Sequence, residues 1–418
     1  MVSVIKKFPS FDLINTETID KEFSLYLHIP FCKSKCYYCD FNTYSGIESM
    51  IDEYVESLQK EIYLWSKIVK NPKVKTVFFG GGTPSYIKSN DISLLLKTIS
   101  QSFMLDESAE ITAEINPDDV TFNKIYELMD SGINRVSMGV QSLDDRFLKL
   151  LGRRHNSKDV ITAYEVIRNA GLNNINLDLI YGLPYQKINI WENTVNKIID
   201  LNPDHVSGYC LTLEPGTFLR HQVEIGVREK PDDDLAADMY RLLCEKLNSA
   251  GYLNYEISNW AKKGKQSLHN LCYWKNNIYL GFGAGAHSHL PGLRYENVSS
   301  PVKYINSIKN IEDNDYSDAD NLTNLRDQIL EVIKDFELND KQMQMSDTMI
   351  LGLRLTEGIY YSEFRQRFGL NLDEIYGNEI SNLKELDLLE IYKLNEDSIL
   401  RLTEKGRLLG NEVFLKFV

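Results

Sequence analysis

Three cysteines within eight residues constrain this chain more than any other feature. Cys32, Cys36 and Cys39 come directly after segment 24–29, whose apolar residues predict a β-strand. Thiols spaced so closely favour a metal, and a closed zinc site would need a fourth ligand nearby. The remaining cysteines stand singly and far away: Cys210, Cys244 and Cys272. We therefore expect an iron–sulfur cluster with one iron open to a chelating ligand, and a structural zinc loop or three unligated thiols is the alternative.

The rest of the first half alternates between strand and helix patterns. Since parallel strands need crossover connections, this alternation predicts a parallel α/β sheet. The predicted strands are 24–29, 74–79, 109–115, 135–140, 174–180 and 205–211.

Unusual residues follow the predicted strands at their carboxyl ends. The cysteine loop is one such feature, and the others are the segment Gly80-Gly-Gly-Thr-Pro84, the Glu114-Ile-Asn-Pro117 segment, Gln141, Asp178 and Thr212. In a (β/α) barrel these ends meet at one rim, where active sites are built. We predict a partial (β/α)6 barrel rather than an open doubly wound sheet.

Three domain regions are predicted. Residues 1–310 form the barrel, an acidic and polar stretch at 311–324 forms a linker, and residues 325–418 form a small, mostly helical domain of winged-helix type. Before the linker, alternating glycines at Gly281, Gly283 and Gly285 suggest that the backbone approaches something closely or makes a tight crossing.

The Cys-x3-Cys-x2-Cys spacing resembles the cluster loop of the radical S-adenosylmethionine (SAM) superfamily. From about Tyr26 to Tyr304 the chain is similar to its coproporphyrinogen-dehydrogenase-like branch, and most of all to the haem chaperone subfamily HemW. The strings that carry the resemblance are LYLHIPFCKSKCYYCDFN, FFGGGTPS, GINRVSMGVQSLD, NLDLIYGLP, YEISNWA, HNLCYW and YLGFGAGAHS.

This resemblance implies a 4Fe-4S cluster on the three clustered cysteines and SAM on its open iron. Tyr38 would lie by the adenine, and the glycine-rich segment would run beside the amino group of SAM. Cofactor-binding positions implied around SAM are Tyr26, Tyr38, Gly81, Gly82, Thr83, Glu114, Gln141, Arg153 and Asp178. Each could instead be a rim residue that satisfies backbone groups.

A histidine flanked by aromatic residues stands in the string HNLCYW. It combines a possible iron ligand with flat apolar surface suited to a porphyrin. The resemblance associates this pattern with haem and assigns the role to His269, Asn270, Tyr273 and Trp274, with His269 as the candidate axial ligand. The competing ligands are His28, His287 and His289, although a packed, hydrogen-bonded histidine is the plainer reading of His28.

Two classes of function remain open at this point. One is a haem-binding chaperone that carries a cluster and SAM and delivers haem to acceptor proteins. The other is a radical SAM enzyme acting on a porphyrin, like the oxygen-independent coproporphyrinogen III dehydrogenase. That enzyme has a further cysteine where this chain has Phe41, and a longer N-terminal region, so its activity is not expected here. A metal-stabilised scaffold is a third reading, and no catalytic residue is assigned.

Charge and apolar patterning exclude other classes. A net charge of -14 argues against nucleic-acid binding, which rests on basic patches. No window reaches the ~18 apolar residues of a membrane span, and the first residues lack a signal-peptide pattern. We expect a cytoplasmic protein whose partners are haem and haem acceptors, with a homodimer possible.

Overall fold

The computed structural model describes residues 22–69, 72–312, 316 and 319–418. The polar N-terminal segment that precedes the first predicted strand, and part of the predicted linker, lie outside these residues. No helix within the described ranges is long and apolar enough to cross a membrane. The predicted cytoplasmic location stays a prediction.

One large sheet organises the described residues from Phe23 to Leu338. Its strands are β1 (Phe23–Ile29), β2 (Lys73–Gly81), β3 (Met104–Ile115), β4 (Arg135–Gln141), β5 (Ile175–Tyr181), β6 (His205–Cys210), β7 (Leu253–Glu256), β8 (Asn259–Ala261), β9 (Tyr279–Phe282), β10 (His287–Leu290), β11 (Leu293–Asn297) and β12 (Ile333–Leu338). Their order in space is β12-β11-β10-β9-β1-β2-β3-β4-β5-β6-β8-β7. The stretch from β9 to β6 is parallel throughout, and both ends carry antiparallel strands.

Helices supply the crossovers that parallel strands require. In this part of the chain they are α1 (Ile51–Ile68), α2 (Ser89–Ser102), α3 (Phe122–Asp130), α4 (Asp145–Leu150), α5 (Ser157–Asn169), α6 (Ile188–Leu201), α7 (Phe218–Glu224), α8 (Asp233–Ser249), α9 (Leu268–Trp274), α10 (Pro301–Asn310) and α11 (Ala319–Ile329). The six strands of the predicted barrel are all present in the predicted order. The prediction of a partial barrel is confirmed, since the sheet ends at β12 and β7 without closing.

Successive side chains of a strand point to opposite faces of the sheet, and the two faces have different surroundings. On β1, Leu25 and Leu27 are fully buried in the core beneath α1 and α2. Tyr26 and His28 point to the opposite side, as their shared parity predicts, and the Tyr26 hydroxyl lies 3.0 Å from His28 Nδ1. One side of β1 is therefore polar and aromatic, while the side that faces the core is apolar.

The alternating glycines do mark a close approach, as predicted. A Cβ on Gly283 would stand 2.6 Å from the Tyr54 hydroxyl and 2.8 Å from the His28 carbonyl oxygen, and one on Gly285 would stand 2.6 Å from Asn42 Nδ2. These positions exclude a side chain because the turn after β9 lies directly on α1 and on the cysteine loop.

The C-terminal region has its own core. It consists of α12 (Lys341–Gly352), β13 (Ile359–Tyr360), α13 (Tyr361–Phe368), α14 (Leu372–Glu385), β14 (Leu389–Leu394), β15 (Asp397–Leu402), α15 (Glu404–Leu408) and α16 (Gly410–Phe414). The strands form a separate sheet of order β13-β15-β14, and the second hydrophobic core begins at Met345. Helices followed by a β-hairpin agree with the predicted winged-helix type.

The boundary between the two cores differs from the predicted one. The sequence predicts that residues 319–324 belong to the linker, yet they lie in α11, and Leu325 and Ile329 are buried in the core of the large sheet. Strand β12, expected in the second domain, pairs with β11. The polar composition of this segment indicates a linker. In the structure, β12 pairs with the free edge of β11, and this pairing places the segment in the first domain.

Candidate functional site

Backbone hydrogen bonds hold the cysteine loop at its two ends and near its middle. Backbone bonds join Cys32 N to the Tyr44 carbonyl (2.8 Å) and Tyr44 N to the Pro30 carbonyl (2.8 Å), which closes the base of the loop. Tyr37 N donates to the Leu151 carbonyl at 3.0 Å. Each clustered cysteine is partly exposed. The loop therefore holds its three thiols at the carboxyl end of β1 and leaves them accessible.

The glycine-rich segment after β2 lies against this loop. Gly82 N donates to the Ile29 carbonyl at 2.8 Å, and a Cβ on Gly82 would stand 2.7 Å from the Phe31 carbonyl oxygen. Gly81 has φ +106, and a Cβ there would stand 2.5 Å from the His28 ring. Glycine is required at both positions. Gly81 has a left-handed backbone, and a side chain at either position would collide with β1 or the cysteine loop.

These elements enclose a cavity of about 480 Å³ at the carboxyl ends of the strands, which we call the rim cavity. Twelve of the sixteen predicted site residues line it: Cys32, Cys36, Tyr38, Cys39, Gly81, Gly82, Thr83, Glu114, Gln141, Arg153, Asp178 and Asn270. Residues from five strand ends and α9 thus converge on one space.

Two carboxyl groups face this cavity in low-dielectric surroundings. Glu114 Oε2 accepts from Gly81 N at 3.2 Å, and burial together with the nearby Asp178 raises the pKa of Glu114 to about 8. Burial also raises the pKa of Asp178, which accepts from Ser137 Oγ and Asn176 Nδ2 at 2.8 Å each. Glu114 is therefore mostly protonated near pH 7 and can donate a hydrogen bond as well as accept one.

Arg153 is the cation of the rim cavity that contacts the cysteine loop through Cys36. Its Nη2 donates to Asn116 Oδ1 at 2.5 Å and to the Gly139 carbonyl at 2.9 Å, while Nη1 donates to Cys36 Sγ at 3.4 Å. Gln141 lies beside it with φ +64, a left-handed backbone that is uncommon outside glycine and concentrates at functional sites. A charged donor is thus fixed next to the cysteine loop.

The three clustered thiols do not form a ready-made site for a single metal ion. Within the described residues, no three His, Cys, Asp or Glu side chains converge on the volume of a single metal ion. Burial raises the pKa of the Cys32 and Cys39 thiols, so they carry protons that a metal would displace. A zinc ion needs ligands that meet at one point, whereas a cuboidal cluster binds each thiolate at a different iron.

A second cavity of about 540 Å³ lies beside the first, between β9, β10, β11 and the C-terminal domain; we call it the side cavity. Gly81, Glu114 and Phe41 line both cavities. Its other lining residues are Tyr26, His28, Asn42, Tyr273, Trp274, Asn276, Tyr279, Gly285, His287, His289, Arg294 and Leu351.

His269 faces neither space, which differs from its predicted role. It is 1% exposed, and it is not among the described linings of the two cavities. Its Nδ1 lies 2.7 Å from Thr76 Oγ1 and its Nε2 lies 2.8 Å from the Tyr273 hydroxyl. Both ring nitrogens are engaged, so in this arrangement neither is free to bind iron, and the residue instead orients Tyr273. The one-turn spacing of the two residues on α9 explains the contact.

Sequence reasoning missed two side chains at the side cavity. Phe41 stands where the related dehydrogenase has a further cysteine. In the structure its side chain is 63% exposed at the mouth shared by both cavities. Arg294 was not singled out at all. An unusual exposed aromatic next to the cysteine motif was a usable signal for Phe41, whereas no local pattern marks Arg294, because its position depends on strand pairing.

Comparisons with known sequences agree with this geometry. The model of the radical SAM superfamily matches residues 26–198, and that of the HemN C-terminal domain matches residues 339–409. The heme chaperone HemW of Bacillus subtilis is 36% identical over 94% of this chain and 99% of its own length. A radical SAM domain-containing protein 1 of Danio rerio mitochondria is 32% identical over 87% of this chain and 80% of its own length.

Among solved structures, coproporphyrinogen III oxidase (HemN) of Escherichia coli superimposes with a TM-score of 0.80. The match covers 98% of this chain and 93% of that enzyme, at 22% sequence identity. At this identity the likeness establishes the fold and leaves the reaction to the residues of the site.

Proposed function

The chain belongs to the radical SAM superfamily and, within its coproporphyrinogen-dehydrogenase-like branch, to the HemW family of heme chaperones, and from this membership we propose that it binds haem and delivers it to acceptor proteins while carrying a 4Fe-4S cluster and SAM. The observation that carries the proposal is the pairing of two adjoining cavities. One gathers the clustered thiols and the polar rim, and the other contains aromatic and histidine side chains.

The residues of the rim cavity fit a cluster and SAM. Cys32, Cys36 and Cys39 would hold the cluster, because they share one accessible loop and do not converge on a single ion. When bound, the cluster offers an iron without a protein ligand, to which the amino and carboxylate groups of SAM can attach. Arg153 would neutralise the carboxylate of SAM, and Glu114 and Asp178 would bind its ribose hydroxyls or amino group.

The side cavity supports haem as the cargo. Tyr273 and Trp274 from the HNLCYW segment line it, and they offer flat apolar surfaces to a macrocycle. A cavity whose walls combine aromatic rings with polar side chains such as His289 and Arg294 is typical of cofactor sites of this size. Since Gly81 and Glu114 belong to the walls of both cavities, a change at the SAM site reaches the haem site through a shared wall.

The test begins with anaerobic reconstitution of the cluster, followed by a haem titration with and without SAM. Loaded protein is then mixed with an apo-haemoprotein, apomyoglobin, and transfer is followed by the Soret band of the acceptor. The proposal expects stoichiometric haem binding and transfer, together with no decarboxylation of coproporphyrinogen III in a parallel assay. Decarboxylation without haem transfer would support the radical enzyme instead.

A further inference from the structure

Strand pairing in the β9–β10–β11 region gathers three side chains on one wall of the side cavity. His289 is the register partner of Arg294 on β11 and of Tyr279 on β9. Directly paired residues of antiparallel strands lie on the same face of a sheet. The ring centroids of Tyr279 and His289 are 6.1 Å apart, edge to face. An imidazole, a phenol and a guanidinium therefore stand side by side on this wall.

The imidazole of His289 is oriented by the backbone. Its Nδ1 lies 3.1 Å from the Asn277 carbonyl oxygen, and because a carbonyl can only accept, Nδ1 carries the proton. Nε2 therefore keeps its lone pair, and it has no hydrogen-bond partner among the described residues. A histidine whose Nδ1–H is held by a carbonyl while Nε2 stays open is the usual form of a metal ligand.

The neighbouring histidines are less suited to bind iron. His28 has both nitrogens engaged, with Nδ1 3.0 Å from the Tyr26 hydroxyl and Nε2 2.9 Å from the Asn42 carbonyl oxygen. His269 is engaged on both sides as well. His287 is exposed, and its Nε2 is 3.6 Å from Glu296 Oε2. Of the four, His289 is buried, oriented and open at Nε2.

Arg294 supplies the complementary charge. Its Nη2 forms an ion pair with Asp347 Oδ2 at 2.9 Å and donates to Asn276 Oδ1 at 3.0 Å, which fixes the guanidinium between the hairpin and α12. Its Nε is buried and has no hydrogen-bond partner within the described part of the chain. The Arg294 side chain is 30% exposed and lines the side cavity, so its guanidinium is within reach of a carboxylate ligand.

We propose that haem lies in the side cavity with His289 Nε2 as its iron ligand and with Arg294 paired to a propionate carboxylate, an assignment that rests on the proposed haem-carrying function. Tyr273 and Trp274 pack on the macrocycle, and Phe41 covers its edge at the mouth shared with the rim cavity. His269 is a positioning residue in this site, since it holds the Tyr273 hydroxyl.

Three porphyrins separate the contacts of this site from one another. Haem offers iron and propionates, protoporphyrin IX offers propionates without iron, and haem dimethyl ester offers iron without free carboxylates. Each is titrated anaerobically into the reconstituted, full-length protein, with the Soret band and tryptophan fluorescence as readouts.

His289→Ala is expected to change the Soret band and to lower haem affinity by more than about 100-fold, since loss of a ligand exceeds the roughly 10–100-fold effect of outer contacts. Binding of protoporphyrin IX should stay at the wild-type level. Arg294→Gln should weaken haem and protoporphyrin IX alike, by about tenfold or more, and leave the dimethyl ester unaffected. His221→Ala and Arg365→Gln, both exposed and outside the two cavities, are matched controls.

The outcomes distinguish the site from the function. A wild-type protein that binds neither haem nor protoporphyrin IX overturns the proposed function. If haem binds the wild type but His289→Ala keeps its Soret band and affinity, only the ligand assignment is wrong, and His287→Ala run in parallel identifies the replacement. Equal losses for iron-loaded and iron-free porphyrin in His289→Ala also overturn the assignment, as they indicate collapse of the cavity. His289→Gln, which keeps a donor for the Asn277 carbonyl, provides the folded variant if the alanine variant does not fold.

Discussion

Replacing Glu61 by Gln is expected to remove a pH dependence from the stability of the protein. Glu61 lies on α1 and is 0% exposed. Its carboxyl group accepts from Gly283 N at 2.8 Å, from Asn297 Nδ2 at 2.8 Å and from the Tyr304 hydroxyl at 2.6 Å. These bonds hold the turn that leads into β10, and hence the wall of the side cavity that carries His289.

The size of the effect follows from the pKa of this carboxyl group. Burial raises the pKa of Glu61 from 4.5 to about 7, although its three hydrogen bonds oppose the change. The folded state therefore binds the proton more tightly than the unfolded state, and stability falls as the pH rises from about 4.5 to about 7. At about 1.4 kcal/mol for each pKa unit, ionisation costs the folded protein on the order of 3 kcal/mol.

Urea unfolding of the wild type and of Glu61→Gln at pH 5, 6, 7 and 8 measures this cost. The difference between the two curves matters, because other titrating groups cancel in it. The wild type should lose about 2–3 kcal/mol relative to the variant across this range, since the amide cannot ionise and part of the loss already lies below pH 5. Parallel curves for the two proteins would refute the reasoning.

Three further predictions concern the rim cavity. Cys36→Ala should lose the cluster, measured as iron per protein after anaerobic reconstitution, while Cys244→Ala keeps it; full iron in the first variant contradicts the assignment. Arg153→Ala should lower SAM affinity by about tenfold or more, followed through the spectrum of the reduced cluster, and unchanged affinity would count against the carboxylate contact. Gly82→Ala should destabilise the protein by about 1–3 kcal/mol and lower iron content, because the new methyl group meets a carbonyl oxygen of the cysteine loop. The helical control Gly377→Ala should leave the melting temperature unchanged or higher, and equal losses in both variants would show that the close approach at Gly82 is not the cause.

Much of the fold was determined by the sequence alone. Alternating strand and helix patterns are local, and the rule that parallel strands require crossovers turns them into a parallel α/β sheet. The unusual residues at the strand ends then favour a barrel over an open doubly wound sheet. The location of the candidate site was predictable as well. Cys32, Glu114 and Asp178 come at the ends of strands, and the ends of parallel strands share one rim. Twelve of the sixteen predicted site residues line the rim cavity for this reason.

Only the tertiary structure decided the side cavity, the hydrogen-bond partners of His269 and the end of the first domain. The HNLCYW string identified an aromatic segment. The orientation of the His269 ring, however, depends on its contacts with Tyr273 and with Thr76, which is distant in sequence. The grouping of His289 with Arg294 depends on the register of a hairpin. A motif specifies residue types, whereas the availability of a lone pair is set by hydrogen-bond partners that folding brings from elsewhere in the chain.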